Sequence, residues 1–405
     1  MLFLDTVNLI FKVFIKSIFN IYFPLVIFIL YFQSKRYAEL EERVLGAPRA
    51  SIWHRVINSG LYGLVAGFIG SIVALWIGIS IDEISIMLIW PLALMLLLFD
   101  PRFICFSYAG GIVAMISLLF GWPEAYVPGI IALVGILHLM ESMLMFMEGD
   151  HDPLPMLVQN NRHEVIGAFA IQKFWPLPLA FLVYTDMIVV GQAVDMPSWW
   201  PLLKSASGAA SFMLIPMIAA LGYSDIAITQ PVKDRVHASA FRLGLYSLTL
   251  LVLSYAASRY KIFAYIGAIA MPVLHELVIK YGVWVQQRGE PIFVAPKRGL
   301  MVLDVLPLSP AETMGLKAGD TILSVNGRDV NSEDMLNEIL RDYPHFMWVD
   351  GIDIKGHTKS CEHRFYPDGI SNLGAIIMPK RSAVFINMHD DNDPLKNIMN
   401  SSRLG

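Results

Sequence analysis

His275-Glu276 is the dipeptide in this chain best suited to begin a hydrolytic metal site. On a helix, His-Glu-x-x-His puts two imidazoles on one face for zinc and leaves the glutamate as general base. Here the run is His275-Glu276-Leu277-Val278-Ile279, so an isoleucine stands where the second histidine would be. The Leu303-Asp304 pair lacks the Leu-Asp-Gly context of a third ligand. A membrane-embedded zinc protease would thus be short of two of its three ligands. His275-Glu276 is instead expected at the membrane surface, packed against a soluble module. Other ionisable groups inside apolar runs are His138, Glu141 and Asp186. Such groups are functional candidates because charge is costly in lipid. His138 and Glu141 lie three apart, on one helix face. They are expected to pair with each other or with Asp186, since no repeat with broken helices marks a transporter site. His151, Asp152, His163 and Glu164 match no metal-ligand spacing. No catalytic residue, metal or other cofactor is expected.

Charge distribution sets the elements that must carry these residues. Of 405 residues, 56% are hydrophobic and 16% are charged, against about a quarter charged in a soluble domain. The shortfall is confined to residues 8–280, where apolar runs follow one another. A bilayer core takes about 20 apolar residues per helix. Runs at 9–32, 59–80, 84–100, 103–120, 125–147, 177–194, 206–222, 241–258 and 261–281 give eight or nine transmembrane helices. The fold class expected is a membrane all-α bundle followed by an α+β domain. Between the first two runs, Lys35, Arg36, Arg43, Arg49 and Arg55 place the connector in the cytoplasm by the positive-inside rule. Alternating from there puts the C-terminal module in the cytoplasm too. Gly60, Gly63, Gly67 and Gly70 form a small-residue stripe suited to close helix packing. The loop 148–176 is expected to be a structured elbow with a short strand or hairpin before Trp175-Pro176 opens the next span. The net charge of −4 argues against a nucleic-acid partner. Two cysteines, Cys105 and Cys361, are too few for a disulfide framework.

Residues 1–281 thus form the transmembrane part, 282–291 a linker, 292–379 a soluble domain and 380–405 a polar, solvated tail. Gly282 is expected to end the last helix. Leu300, Val302 and Val305 are strand-like, and Ser309-Pro310 is an N-cap with proline at the first helical position. Gly315 ends that helix, and Asn326-Gly327 is a strong hairpin signal. Residues 332–342 form a second, amphipathic helix, and strands follow at 346–354, 361–366 and 373–377.

Val305-Leu-Pro-Leu-Ser-Pro-Ala311, Gly315-Leu316, Gly319-Asp320 and Val325-Asn-Gly327 resemble a PDZ domain of the bacterial type. Such domains bind an extended peptide as an added strand beside the second helix. The resemblance implies a groove drawn from Leu300, Met301, Met335, Leu336, Ile339, Leu340, Leu373, Gly374 and Ala375. Two loops could hold a peptide carboxylate, Arg298-Gly-Leu-Met301 and Asn372-Leu-Gly-Ala375, with the second preferred.

The whole layout, with many spans, a Trp-Pro loop, His-Glu on the last span and one C-terminal PDZ domain, resembles the MinJ family. Those proteins are division-site adaptors of Gram-positive, endospore-forming bacteria. The resemblance implies a non-enzymatic scaffold in the cell membrane, enriched at septum and poles. It would link a DivIVA-type coiled-coil protein to a MinD-type ATPase, with its spans as anchor and as a surface for homo-oligomer formation. The contrasting expectation is a transporter or a degenerate site-2-protease-like membrane protein.

Overall fold

The computed structural model describes residues 2–159, 164–185, 200–203, 211–365, 369–379 and 386–387. Helix α1 (Leu2–Ile18) meets α2 (Tyr22–Leu45) at a 61° bend. Ser51 caps α3 (Ile52–Ile77) by accepting the His54 N–H, and a two-residue strand, β1 (Ser80–Ile81), follows. Next come α4 (Glu83–Leu97), a 3-10 turn at Pro101–Ile104, α5 (Phe106–Phe120) and α6 (Val127–Glu148). Three strands intervene: β2 (Leu154–Gln159), β3 (Val165–Thr185) and β4 (Ser211–Ala227). Helices α7 (Val232–Ala257) and α8 (Lys261–Arg288) complete the apolar part.

Among the described residues four helices, α3, α6, α7 and α8, are long and apolar enough to cross a bilayer, or five if the bent α1–α2 pair counts as one. The expected eight or nine spans are too many, for two reasons. At 15 residues each, α4 and α5 measure about 22 Å, short of a core about 30 Å thick. They form a hairpin whose tip, Asp100–Cys105, reaches only the middle of α8, where Tyr108 meets Glu276. The second reason is that the runs expected as spans at 177–194 and 206–222 are strands wherever they are described. Asp186 and His163 lie outside the described residues.

The β3–β4 hairpin is antiparallel from Phe169↔Ala227 to Thr185↔Ser211. Both faces of β3 are buried from Trp175 to Val183. Trp175, Leu177, Leu179 and Phe181 face the main core with α6, while Ala180 and Leu182 pack with Ile10 and Val13 of α1. A strand buried on both faces is a continuous apolar run, which hydropathy cannot tell from a helix. Proline spacing is the distinguishing feature. The Ala180 N–H points away from β4, to Ser71 Oγ at 2.9 Å. Backbone groups alternate along a strand, so Pro176 and Pro178 present the same outer edge. Neither has an N–H to leave unpaired there. Opposite Ala180 stands Pro216, whose missing N–H faces the other edge.

Two members of the glycine stripe of α3, Gly63 and Gly67, serve this strand. A Cβ on Gly63 would lie 2.0 Å from the Pro176 carbonyl oxygen, and one on Gly67 would lie 2.0 Å from that of Pro178. Gly70 meets the flexible Met140 side chain of α6 and, at 3.5 Å, Leu179 of β3, and Gly60 meets nothing within 4 Å.

Helix α8 runs past Gly282 to Arg288; Gly282 instead gives room to the Arg235 guanidinium. The C-terminal domain then unfolds as β5 (Phe293–Val294), β6 (Leu300–Val305), α9 (Pro310–Met314), β7 (Thr321–Val325), β8 (Arg328–Asp329) and α10 (Glu333–Arg341). Strands β9 (Phe346–Ile352), β10 (Thr358–Arg364) and β11 (Ala375–Ile377) follow. Its sheet order is β10-β9-β7-β6-β11. Ser309 caps α9, Ser332 caps α10, and Asn326 and Gly327 turn at φ +49° and +74°. In the tail, β12 (Ile386–Asn387) pairs in parallel with Val158 and Gln159 of β2.

This domain is docked on the apolar part. Strand β5 pairs with Ile166 and Gly167 of β3. Alternate residues of β6 divide between two cores: Leu300 and Val302 face α10, while Met301 and Leu303 join the transmembrane cluster with Ile376. Arg49, from the connector, forms an ion pair with Asp304. At the same end Arg55 bonds Glu41 and Asp152, and Gln286 of α8 caps the backbone at Ile228 and Thr229.

Candidate functional site

A peptide added as a strand needs a sheet edge beside a helix. Strand β6 is internal, bonded to β7 at Leu300 and Met301 and to β11 at Val302, Asp304 and Val305. The Arg298–Met301 loop therefore offers no edge, and the structure places Met301 against the transmembrane part rather than in a groove. Strand β11 ends the sheet order, so one of its edges has no strand partner among the described residues. The loop before it is held by α9. The Leu306 N–H donates to the Gly374 carbonyl at 2.8 Å, and the Ala311 N–H donates to that of Leu373 at 2.9 Å. Gly374 takes φ +71°, and a Cβ there would lie 2.3 Å from Ser309 Cβ. Asn372 Oδ1 accepts the Gly374 N–H at 2.8 Å, as a peptide carboxylate oxygen would.

On α10, Leu336, Ile339 and Leu340 are core residues, and Leu373 is buried with them. Their apolar character builds the domain. Met335 is the large apolar side chain that α10 leaves exposed, at 46%. Beside it, burial and then the Asp334 charge push the Glu333 carboxyl above its usual range. Leu336→Arg should therefore unfold the domain, since an unpaired buried charge costs several kcal/mol. Met335→Arg should leave folding intact and weaken peptide capture. Thermal unfolding and a peptide pull-down on the two variants separate these outcomes; equal stability of both would contradict this division of α10.

The buried ionisable residues come together differently from their expected arrangement. His275 is not at the surface: it is 9% exposed in mid-bundle, with its Nε2 3.7 Å from Cys105 Sγ. His138 Nε2 lies 3.1 Å from the same sulfur. His138 Nδ1 is 2.8 Å from the Val134 carbonyl, and His275 Nδ1 is 3.5 Å from the Tyr108 hydroxyl. That hydroxyl donates to Glu276 Oε2 at 2.7 Å. Glu141 does approach His138, at 4.0 Å. Cys105 carried no signal in the sequence, because the three residues come from three separate elements. His151 stays near Asp150, and Asp152 turns to Arg55.

Fold and site together define a PDZ-domain protein built on a bundle of membrane-length helices. A PDZ-domain family model matches residues 301–342, from β6 to the end of α10. The chain is similar to proteins named MinJ. It is 24% identical over 253 residues to the cell division topological determinant MinJ of Bacillus subtilis (strain 168), a match covering 62% of this chain and 62% of that relative. The probable cell division topological determinant MinJ of Lacticaseibacillus paracasei is 24% identical over 328 residues, covering 79% of this chain and 85% of that relative. The match thus takes in less than two thirds of the Bacillus protein.

Proposed function

We propose that this chain is a non-enzymatic membrane adaptor of division-site selection. Its PDZ domain captures an extended segment of a partner at the β11 edge, on the cytoplasmic side. What chiefly supports the reading is the MinJ similarity across the bundle and the PDZ domain together. The side assignment rests on Arg49 and Arg55, which lie at the end of the bundle where the domain docks. The partners that fit are a DivIVA-type coiled-coil protein and a MinD-type ATPase, with the spans as anchor and self-association surface. The groove residues are Met335 on α10 and Gly374 and Ala375 before and in β11.

A fluorescent fusion of the full chain in a rod-shaped bacterium tests this. It should concentrate at septa and poles, and Met335→Arg should spread it evenly while leaving its abundance unchanged. Even membrane fluorescence of the unaltered fusion, with normal division when the gene is removed, would exclude the adaptor.

A further inference from the structure

We propose that Cys105, His138 and His275 bind a single zinc ion that fastens α5, α6 and α8 together inside the bundle. The three ligand atoms lie within 4.8 Å of one another. Sulfur and imidazole donors are the set zinc selects. Zinc bonds of about 2.3 Å to sulfur and about 2.0 Å to nitrogen put tetrahedral S and N atoms about 3.5 Å apart. The two observed S···N separations, 3.1 and 3.7 Å, bracket that value.

Proton counting carries the inference further. Val134 O takes the Nδ1–H of His138. Tyr108 donates its own proton to Glu276, so its oxygen is left to accept from His275 Nδ1. Both histidines therefore turn an Nε2 lone pair toward Cys105. Tyr246 donates to the Met271 carbonyl, so Ser107 donates its one proton to Tyr246 and has none for His138. A single thiol proton remains for two imidazole lone pairs and for the Ser107 Oγ, 3.4 Å from the sulfur. Whether it stays on sulfur or moves to one imidazole, one Nε2 is left facing the other groups without a donor. A cation satisfies all three atoms at once. The Nδ1 contacts are also the outer contacts that fix a metal-binding imidazole.

Charge points to the fourth ligand. Glu141 Oε2 lies 4.0 Å from His138 Nε2, and its side chain is 15% exposed. A thiolate, a carboxylate and two neutral imidazoles around Zn2+ sum to zero charge. A neutral complex is what an apolar bundle tolerates, and four protein ligands make a closed, structural site. Binding releases the thiol proton to solvent.

The test uses the full chain, purified in detergent without a polyhistidine tag from zinc-supplemented cells. Elemental analysis should find about one zinc per chain, and Cys105→Ser should lose it. Tyr108→Phe, which removes an outer contact and no ligand, should weaken zinc affinity about tenfold or more. Cobalt loaded into the unaltered protein should give thiolate-to-cobalt absorption in the near ultraviolet. That cobalt spectrum decides the question even if Cys105→Ser fails to fold. Monodisperse unaltered protein with neither stoichiometric metal nor cobalt absorption would overturn the site, and so would full zinc retention by Cys105→Ser.

Discussion

Replacing Gly67 with alanine should destabilise the protein by about 3 kcal/mol, whereas Gly60→Ala should leave it unchanged or slightly more stable. The two positions look alike in the sequence. At Gly67 the new methyl group would meet the Pro178 carbonyl oxygen at 2.0 Å, and at Gly63 the Pro176 oxygen at the same distance. Those obstacles are backbone atoms, so no rotamer change relieves them. Helix α3 must move away from β3, and overpacking of this kind costs about 1–3 kcal/mol, with rigid surroundings at the upper end. Displacing α3 also withdraws Ser71 from the Ala180 N–H. At Gly60 a methyl group meets nothing within 4 Å, and alanine is favoured over glycine in a helix by about 1 kcal/mol. Thermal unfolding in detergent of Gly60→Ala, Gly63→Ala and Gly67→Ala measures the contrast. Three equal midpoints would mean that α3 does not rest on the β3 edge.

Asp304→Ala should release the PDZ domain from the bundle. The side chains of Arg49 and Asp304 are only 11% and 14% exposed. Removing one member of a buried ion pair leaves the other charge uncompensated, at about 3–5 kcal/mol. Here the stranded group is the Arg49 guanidinium, at the seam where Met301, Leu303 and Ile376 meet the transmembrane core. Undocking exposes that apolar face and the segment 289–298. Limited proteolysis should cut there in Asp304→Ala and spare the unaltered protein. A double variant, Arg49→Met with Asp304→Leu, should recover most of the resistance, because apolar pairs of similar volume replace buried ion pairs at little cost. Equal resistance of Asp304→Ala and the unaltered chain would show that the ion pair does not hold the domain.

The PDZ elements were legible because their signals are local. Ser309-Pro310, Gly315 and Asn326-Gly327 each fix a cap or turn within a few residues, whatever lies around them. Leu336, Ile339 and Leu340 showed an apolar face, but a core and a groove present the same composition. Only packing separates them, and it assigns these three to the core. The hairpin was hidden by burial on both faces, which erased the alternation that marks most strands. Pro176 and Pro178, two apart, were the available clue: that spacing suits one edge of a strand and breaks a helix. Nothing in the spacing of Cys105, His138 and His275 announces their meeting, because each rides on a different element.

The covered edge of β3 also dictates an order of assembly. Ser71 and Ala180 are 109 residues apart, so α3 leaves the ribosome long before the strand it receives. Until then its glycine seam faces lipid or other helices. A lone β3 could not wait in the hydrocarbon, where each unpaired backbone group costs several kcal/mol. The two strands must therefore zip together before or as they slot in beside α1 and α3. Fragments that end ahead of Ala227 lack part of that ladder, which makes the stretch from α3 to β4 one indivisible unit of biogenesis and the interval between their syntheses the chain's period of greatest exposure to misassembly.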